Sequence, residues 1–232
     1  MQIRQFRYST DNLGYLVYGR QSAAIVDGGA VEEMLSFISE SGLTLAYVTN
    51  THAHMDHTIG NNALLERTGA RFLDFETLLE NPSIPVDDQS LHVLHTPGHT
   101  RDSVCFYSGD ILLSGDTLFN GKVGRCFTGD TEGFFHSIRK ILEFPDDTIV
   151  YAGHDYVQEY VAFARWLDPD NGHLDEYLRQ YNPEHVCATL GEEKKVDPFL
   201  RFDDEKIIRL LEKKGLPAKT SLERWQSLLS LM

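Results

Sequence analysis

One segment constrains this chain more than any other: the run Thr51-His-Ala-His-Met-Asp-His57 places four side chains of metal-ligand type within six residues. It follows an apolar run that ends at Val48, so we expect a loop at the carboxyl end of a strand. His52 and His54 could point one way and Asp56 and His57 the other. Imidazole and carboxylate ligands suit Zn²⁺, Fe or Mn²⁺ rather than Cu(I). One loop could therefore serve two adjacent cations.

Three further residues of ligand type repeat this placement along the chain. His99 follows Thr-Pro-Gly, Asp116 follows Ser-Gly and His154 follows Ala-Gly, in each case shortly after an apolar run. The neighbouring glycine allows a tight turn at each point. A His-rich surface turn would be the simpler interpretation of the first cluster if it stood alone. The repetition at three more strand ends instead predicts a metal centre.

Strand and helix patterns alternate through the first two thirds of the chain. Helical spacing of apolar residues covers residues 31–41 and 131–144, and from about residue 157 the pattern is helical throughout. This alternation favours helices packed outside sheets. We expect a metal-binding domain over residues 1–156 and a helical extension over residues 157–232. The predicted strands are residues 15–18, 23–27, 45–50, 91–95, 103–107, 111–114 and 148–152.

Charge and cysteine content narrow the range of partners. The formal net charge of −14 argues against nucleic acid, because phosphate contacts need clustered Lys and Arg. Residues 1–8 lack an apolar signal core, and no apolar run reaches the roughly 18 to 20 residues that span a bilayer, so we expect a cytoplasmic protein without a membrane partner. Cys105, Cys126 and Cys187 fit neither a disulfide framework nor a Cys-rich zinc site.

Four motifs, T-H-A-H-M-D-H, T-P-G-H-T, G-D-T-L-F and G-H-D-Y, resemble in order and spacing the metal-binding motifs of the metallo-β-lactamase superfamily. The resemblance implies a four-layer αββα sandwich and two divalent metal ions, zinc first and iron or manganese as alternatives. It implies that one metal is held by His52, His54 and His99 and the other by Asp56, His57 and His154, with Asp116 bridging the two.

Within that superfamily the chain is most similar to the glyoxalase II family, the hydroxyacylglutathione hydrolases. The similarity includes Gly124-Arg-Cys-Phe-Thr-Gly129 and Asp197-Pro-Phe-Leu-Arg201 and extends over nearly the whole chain. It implies that Arg125, Tyr156 and Arg201 contact the glutathione part of a thioester substrate, with Phe127 in the same substrate-binding set. Phe127 stands where many relatives carry Tyr, and Lys122 interrupts a stretch that is usually small and neutral.

The implied reaction is hydrolysis of a hydroxyacyl-glutathione thioester, such as S-lactoylglutathione, by attack of a metal-bridging hydroxide. Two cations lower the pKa of a shared water toward about 7, so hydroxide forms at neutral pH. A thiol with a pKa near ~8.5 leaves as thiolate without a strong proton donor, so a site of metals and ligands suits thioesters. Asp116 and Asp56 are the expected catalytic carboxylates, and Asp56 would also orient the hydroxide.

Other functions stay open on the sequence alone. The leading rival is a persulfide dioxygenase of the same fold, which uses a single iron and oxygen. A metallo-hydrolase acting on another thioester or ester is a second alternative, while a lactam hydrolase and a nuclease are less favoured. Monomer and homodimer are both compatible with the sequence, and so are several roles for Cys126.

Overall fold

The computed structural model describes residues 1–232, and its first part forms a five-stranded sheet. β1, β2 and β3 are antiparallel neighbours, whereas β3, β4 and β5 run parallel. Parallel pairing requires a crossover, which helices α1 and α3 supply. The elements are β1 (Gln2–Tyr8), β2 (Asn12–Tyr18), β3 (Ser22–Val26), α1 (Val31–Glu40), β4 (Thr44–Thr49), α2 (Met55–Thr58), α3 (Asn61–Thr68), β5 (Arg71–Leu73) and α4 (Phe75–Glu80).

A second sheet has six strands in the order β13-β12-β9-β8-β7-β6, and β10 and β11 form a separate two-stranded hairpin. β9 and β12 are parallel because α5 crosses over between them. The elements are β6 (Ser83–Val86), β7 (Gln89–His95), β8 (Val104–Ser108), β9 (Ile111–Gly115), β10 (Leu118–Phe119), β11 (Lys122–Val123), α5 (Thr131–Ile141), β12 (Ile149–Ala152) and β13 (Ala188–Thr189).

The two sheets are stacked between helices, and alternation along each strand produces the layers. Leu13, Tyr15 and Val17 of β2 face the inner cluster between the sheets, whereas Leu16 packs with Met34 of α1 on the outside. On the second sheet Val104 and Phe106 point inward, and Cys105 points toward α5. Since successive strand residues point to opposite faces, each central strand contributes side chains to two apolar cores. This arrangement confirms the predicted four-layer αββα sandwich.

The remaining helices are α6 (Val157–Leu167), α7 (Leu174–Gln180), α8 (Leu190–Val196), α9 (Glu205–Lys213) and α10 (Ser221–Leu229). α10 begins with a capping box in which Thr220 and Glu223 satisfy each other's backbone N–H groups. Its Trp225 and Leu228 are buried with Phe134 of α5 in the outer core of the second sheet. The C-terminal helices thus share apolar cores with the sheets, and the division at residues 156 and 157 remains a prediction.

The helix predicted over residues 31–41 corresponds to α1, and the predicted strands correspond to β2, β3, β4, β7, β8, β9 and β12. The pattern did not predict the seven-residue strand β1, the β10–β11 hairpin, the short strands β5, β6 and β13, or the short helices α2 and α4. None of the helices combines enough length and apolarity to cross a bilayer. All three cysteines are free thiols, and Cys105 is buried.

Candidate metal centre

The loop after β4 carries the first four residues of ligand type. Thr51 to His54 leave the strand in an irregular stretch, and Asp56 and His57 lie on the single turn of α2. His52 and His57 are buried, whereas the side chain of Asp56 is 49% exposed. This change from extended to helical backbone within six residues separates the two pairs of side chains.

Four side chains converge in a first group made of His52, His54, His99 and Asp116, whose ligand atoms lie within 4.8 Å of one another. His54 Nδ1 is 2.9 Å from His52 Nε2 and 3.1 Å from His99 Nε2. Asp116 Oδ2 lies 3.5 Å from His99 Nε2. The segments that follow β4, β7 and β9 therefore meet at one point.

A second group contains Asp56, His57 and His154. The Nε2 atoms of His57 and His154 are 3.2 Å apart, and Asp56 Oδ2 lies 3.3 Å from His154 Nε2. Two ring nitrogens that both present lone pairs repel each other unless a proton or cation lies between them.

Asp116 lies between the two groups. Its Oδ1 is 3.4 Å from His57 Nε2, while its Oδ2 is 3.6 Å from His154 Nε2 and also belongs to the first group. Asp116 is buried, and its Oδ1 has no hydrogen-bond partner. A buried carboxylate oxygen without a donor is costly. Its position fits a carboxylate shared by two cations.

Two glycines allow this close approach. Gly115 has a φ of 51°, in the left-handed region that favours glycine. At Gly153 a Cβ would overlap Asp116 Oδ1 and would lie 2.8 Å from His57 Cε1. The backbone at Gly153 therefore packs against Asp116 and His57 without room for a methyl group.

Outer hydrogen bonds fix the ring orientations of the histidines. His99 Nδ1 is 2.9 Å from the carbonyl oxygen of Arg125, which can only accept, so Nδ1 carries the proton and Nε2 keeps its lone pair. His57 Nδ1 likewise donates to Asp27 Oδ2 at 2.9 Å, and His154 Nδ1 lies 3.2 Å from Asp11 Oδ1. Such bonds orient histidines for metal binding.

Asp27 was missed by the sequence reasoning, which treated it only as the end of a strand run. It is fully buried, has a φ of 56° and also accepts hydrogen bonds from the backbone N–H and hydroxyl of Thr51. One signal in the sequence could have indicated this role. An acidic residue followed by two glycines comes directly after β3, and β3 pairs with β4, the strand that carries the histidine loop.

Asp56 is held by two residues of the first sheet. Asn12 Nδ2 donates to Asp56 Oδ2 at 3.0 Å, and the Tyr8 hydroxyl donates to the backbone carbonyl of Asp56 at 3.0 Å. Tyr8 was also missed, because nothing in its sequence surroundings indicates that β1 reaches the loop.

Burial and charge set the protonation states. Burial, assisted by the nearby His57, lowers the pKa of His52 to about 4, and burial also lowers the pKa of His99. Burial opposes ionisation of Asp116, but His57 and the other histidines outweigh it and hold its pKa far below the usual range. At neutral pH His52 and His99 therefore offer neutral imidazoles, and Asp116 offers a carboxylate.

His57 behaves differently. Burial lowers its pKa, but the carboxylates of Asp27 and Asp116 outweigh burial and raise it to about 11. In the metal-free protein His57 is therefore protonated, and a cation would displace that proton. The donor set of both groups, with converging nitrogens and a carboxylate oxygen that lacks a donor, fits divalent cations.

The predicted substrate residues lie in two places. Phe127 is 58% exposed, and its ring centroid lies 5.6 Å from that of His54 and 5.2 Å from that of His99. Tyr156 stacks on His154 with ring centroids 5.0 Å apart. Arg125 reaches the first group through its carbonyl oxygen, and its guanidinium lies 5.2 Å from the Phe127 ring centroid.

Arg201 occupies a different environment. Its side chain is 9% exposed and forms ion pairs with Asp168 at 3.0 Å and Asp204 at 3.1 Å. These partners belong to the C-terminal region, so the structure accounts for Arg201 as an internal ion pair. Its assignment to substrate binding remains a prediction.

Comparison with known proteins identifies the class that this fold and site define. The sequence model of the metallo-beta-lactamase superfamily matches residues 12–73 and 70–154 of this chain. The sequence model of the hydroxyacylglutathione hydrolase C-terminus matches residues 155–228. Among solved structures, ETHE1 from Myxococcus xanthus superposes with a TM-score of 0.69 at 25% identity, covering 99% of this chain and 90% of that one. A di-iron-bound form of TTHA1623 has a TM-score of 0.57 at 27% identity, covering 82% and 95%.

Relatives identified by sequence similarity define the family more narrowly. The hydroxyacylglutathione hydrolase of Pseudoalteromonas translucida is 33% identical over an alignment that covers 100% of this chain and 97% of that protein. The chain belongs to the hydroxyacylglutathione hydrolase family of the metallo-β-lactamase superfamily, and it is a thiolester hydrolase of that type. This confirms the family predicted from the motifs.

Proposed function

We propose that the protein hydrolyses a hydroxyacyl-glutathione thioester of the S-lactoylglutathione type and uses two divalent cations to do so. The observation that carries the proposal is the convergence of seven side chains of ligand type in two groups, with Asp116 in contact with both. The names of the curated relatives support the substrate class, and the di-iron form of a structural relative supports a two-metal site.

His52, His54 and His99 would hold one cation, Asp56, His57 and His154 the other, and Asp116 would bridge them. Bound divalent cations supply a water of lowered pKa as nucleophile and polarise the thioester carbonyl oxygen. Zinc suits this mixture of imidazole and carboxylate best, and iron and manganese suit it as well.

The protein side chains contribute positioning and proton handling. Asp56 is half exposed and fixed by Asn12, so its carboxylate can accept a hydrogen bond from an attacking water and align it. The exposed ring of Phe127 offers an apolar wall beside His54 and His99. No acid is needed for the departing sulfur, because a thiolate is a stable leaving group at neutral pH.

The test is hydrolysis of S-lactoylglutathione by purified protein, with metal analysis of the same sample. We expect turnover with about two divalent ions per chain, since both groups are needed for the reaction. Asp116→Asn should lose at least one ion and most activity. His136→Ala, which changes an exposed histidine of α5, is the control and should match the wild type.

Two results would contradict the proposal. Asp116→Asn with full metal content and full activity would reject the bridging role. A wild-type protein that binds one iron and consumes oxygen with a persulfide would support the dioxygenase alternative instead.

A further inference from the structure

A cleft of about 620 Å³ lies between the β10–β11 hairpin, α6 and the end of α10. Its wall includes Lys122, Arg125, Glu159 and Tyr160. Arg125 also accepts the hydrogen bond from His99 through its carbonyl oxygen, so the cleft begins at a residue that orients a proposed metal ligand.

Lys122 is the unusual member of this wall. Lys122 is 9% exposed, and its ammonium lies 4.8 Å from the ring centroid of Tyr160 and 4.5 Å from that of Phe163. The ammonium makes no hydrogen bond, and no carboxylate lies within ion-pair distance; Asp197 and Glu159 act on it only at longer range. Lys122 is thus a nearly buried cation without a hydrogen-bond or ion-pair partner.

An unpaired buried ammonium is unfavourable, and two aromatic faces replace only part of its lost hydration. Burial accordingly lowers the pKa of Lys122, although Asp197 and Glu159 oppose the effect. A carboxylate that enters the cleft would supply the missing partner and form charge-assisted hydrogen bonds.

The cleft is connected to the metal-ligand groups by a row of aromatic rings. Tyr156 stacks on His154 at 5.0 Å, and Tyr160 follows Tyr156 at 5.3 Å, which brings the row to the ammonium of Lys122. The row therefore leads from the ligand groups to the ammonium of Lys122, and the thiol half of a substrate whose sulfur lies at the ligand groups would extend along it.

We propose that Lys122 binds a carboxylate of the thiol half of the substrate, with Arg125 as the second cation and Glu159 placed to face an ammonium group. The cleft would then select peptide-like thiols that carry both carboxylate and ammonium groups. The proposal rests on the proposed thioester hydrolase function and assigns Lys122 as a specificity residue. Arg201 does not line this cleft, and its charge is met by Asp168 and Asp204.

The experiment compares Lys122→Met with Lys213→Met, which removes an exposed lysine of α9. Substrates are S-lactoylglutathione and S-lactoyl-N-acetylcysteamine, a thioester without carboxylate or ammonium. Loss of a charge-assisted contact should raise KM for the glutathione thioester about tenfold or more in Lys122→Met, with kcat little changed. Its kcat/KM for the uncharged thioester should equal that of the wild type, and Lys213→Met should change neither.

Two further measurements separate binding from folding and from turnover. Lys122→Arg keeps the charge and should restore most of the affinity. Calorimetric titration with S-methylglutathione, which cannot be hydrolysed, should show weaker binding to Lys122→Met than to the wild type and to Lys213→Met.

An unchanged KM and unchanged S-methylglutathione affinity in Lys122→Met would overturn the assignment. An equal loss of kcat/KM on both thioesters would also overturn it. That result would mean that Lys122 balances the charge of Asp197 and does not bind the substrate. If the wild type hydrolyses neither thioester, the proposed function is wrong and the titration alone decides. Lys122-dependent binding of S-methylglutathione then supports the cleft, and absence of binding rejects it.

Discussion

Asp27 joins the backbone of the histidine loop to a proposed metal ligand. One of its oxygens accepts from the Thr51 backbone N–H, and the other accepts from His57 Nδ1 and the Thr51 hydroxyl. A non-glycine residue at a φ of 56° costs backbone energy, so the surrounding contacts must hold it there.

Asp27→Asn should weaken metal binding by about 10- to 100-fold, the usual effect of losing an outer partner of a ligand histidine. Without the carboxylate the pKa of His57 falls from about 11, so the proton released on binding should also diminish. Competition with a chelator at pH 6 to 9 measures both effects. Wild-type affinity should rise with pH as His57 gives up its proton, and the slope should be shallower in the variant.

Asp88→Asn removes an exposed carboxylate and serves as the matched control. An Asp27→Asn protein with wild-type affinity and slope would show that Asp27 does not support metal binding through His57.

Gly153→Ala adds a methyl group where Asp116 Oδ1 and His57 Cε1 already approach. We expect at least about a tenfold loss of metal affinity with a folded protein, because sub-ångström displacement of ligands is poorly tolerated in a metal site. Metal analysis after gel filtration, with circular dichroism for folding, checks the prediction. Gly172→Ala is the control, since nothing lies near its Cβ position, and equal metal content in both variants would refute the packing argument.

At this scale the sequence predicted the side chains that converge in the two groups, but not the residues that hydrogen-bond to them. The histidines were recognised because several imidazoles beside glycines at strand ends have few structural explanations. Asp27 stands before Gly28, and an Asp-Gly pair is also a common turn signal, so its role became visible only through the contact with His57. Arg201 shows the reverse case, in which an ion pair with Asp168 follows from packing that no local pattern reveals.

Among the elements, the β10–β11 hairpin is tied to helices α7 and α8 by the buried carboxylate of Glu193. It accepts hydrogen bonds from Asn120 Nδ2 at 2.9 Å, the Gly121 backbone N–H at 2.7 Å and the Tyr177 hydroxyl at 2.5 Å. The Glu193 side chain therefore links the hairpin that carries Lys122 to α7 and α8.

Burial raises the pKa of Glu193 to about 7, although the bonds from Tyr177 and Asn120 act in the opposite direction. A raised folded-state pKa gives stability that is present below the unfolded value and lost as pH rises through the folded value. The free energy of unfolding should therefore fall progressively, by about 3 kcal/mol in all, as pH rises from ~4.5 through ~7. Urea unfolding should show Glu193→Gln gaining stability relative to the wild type across that range.

Glu212→Gln changes an exposed carboxylate on α9 and should show no such trend. A constant difference between Glu193→Gln and the wild type from pH 4 to 8 would mean that folding does not shift the pKa of Glu193.

The longer helices followed from sequence periodicity, whereas the seven-residue strand β1 and most of the short elements did not. α1 and α5 carry apolar residues at helical spacing over ten and eleven residues. β10 and β11 have two residues each, too few for any period, and exist because Leu118 pairs with Val123 and Phe119 with Lys122. The one-turn α2 is hidden in the same way within the histidine motif.

At the scale of the whole molecule, the proposed ligands come from both sheets, so metal binding should stabilise the sandwich itself. A cation at about 1,000 times its dissociation constant adds roughly 4 kcal/mol. For a chain of this size that corresponds to a rise in Tm of roughly 8 to 16 °C. Calorimetry of metal-free protein with and without added zinc measures the shift. Asp116→Asn should lose most of it, and an equal shift in that variant would place the stabilising metal elsewhere.

The contact between His57 and His154 joins residues 97 positions apart in the chain. During synthesis the histidine loop leaves the ribosome long before the strand that delivers its last partner, so an early metal ion meets an incomplete set of ligands. Proteins that depend on contacts of such long range fold more slowly than proteins built from local contacts. In the cell, tight metal binding would then require that the second sheet has packed against the first. Incompletely synthesised chains would bind their cations only weakly.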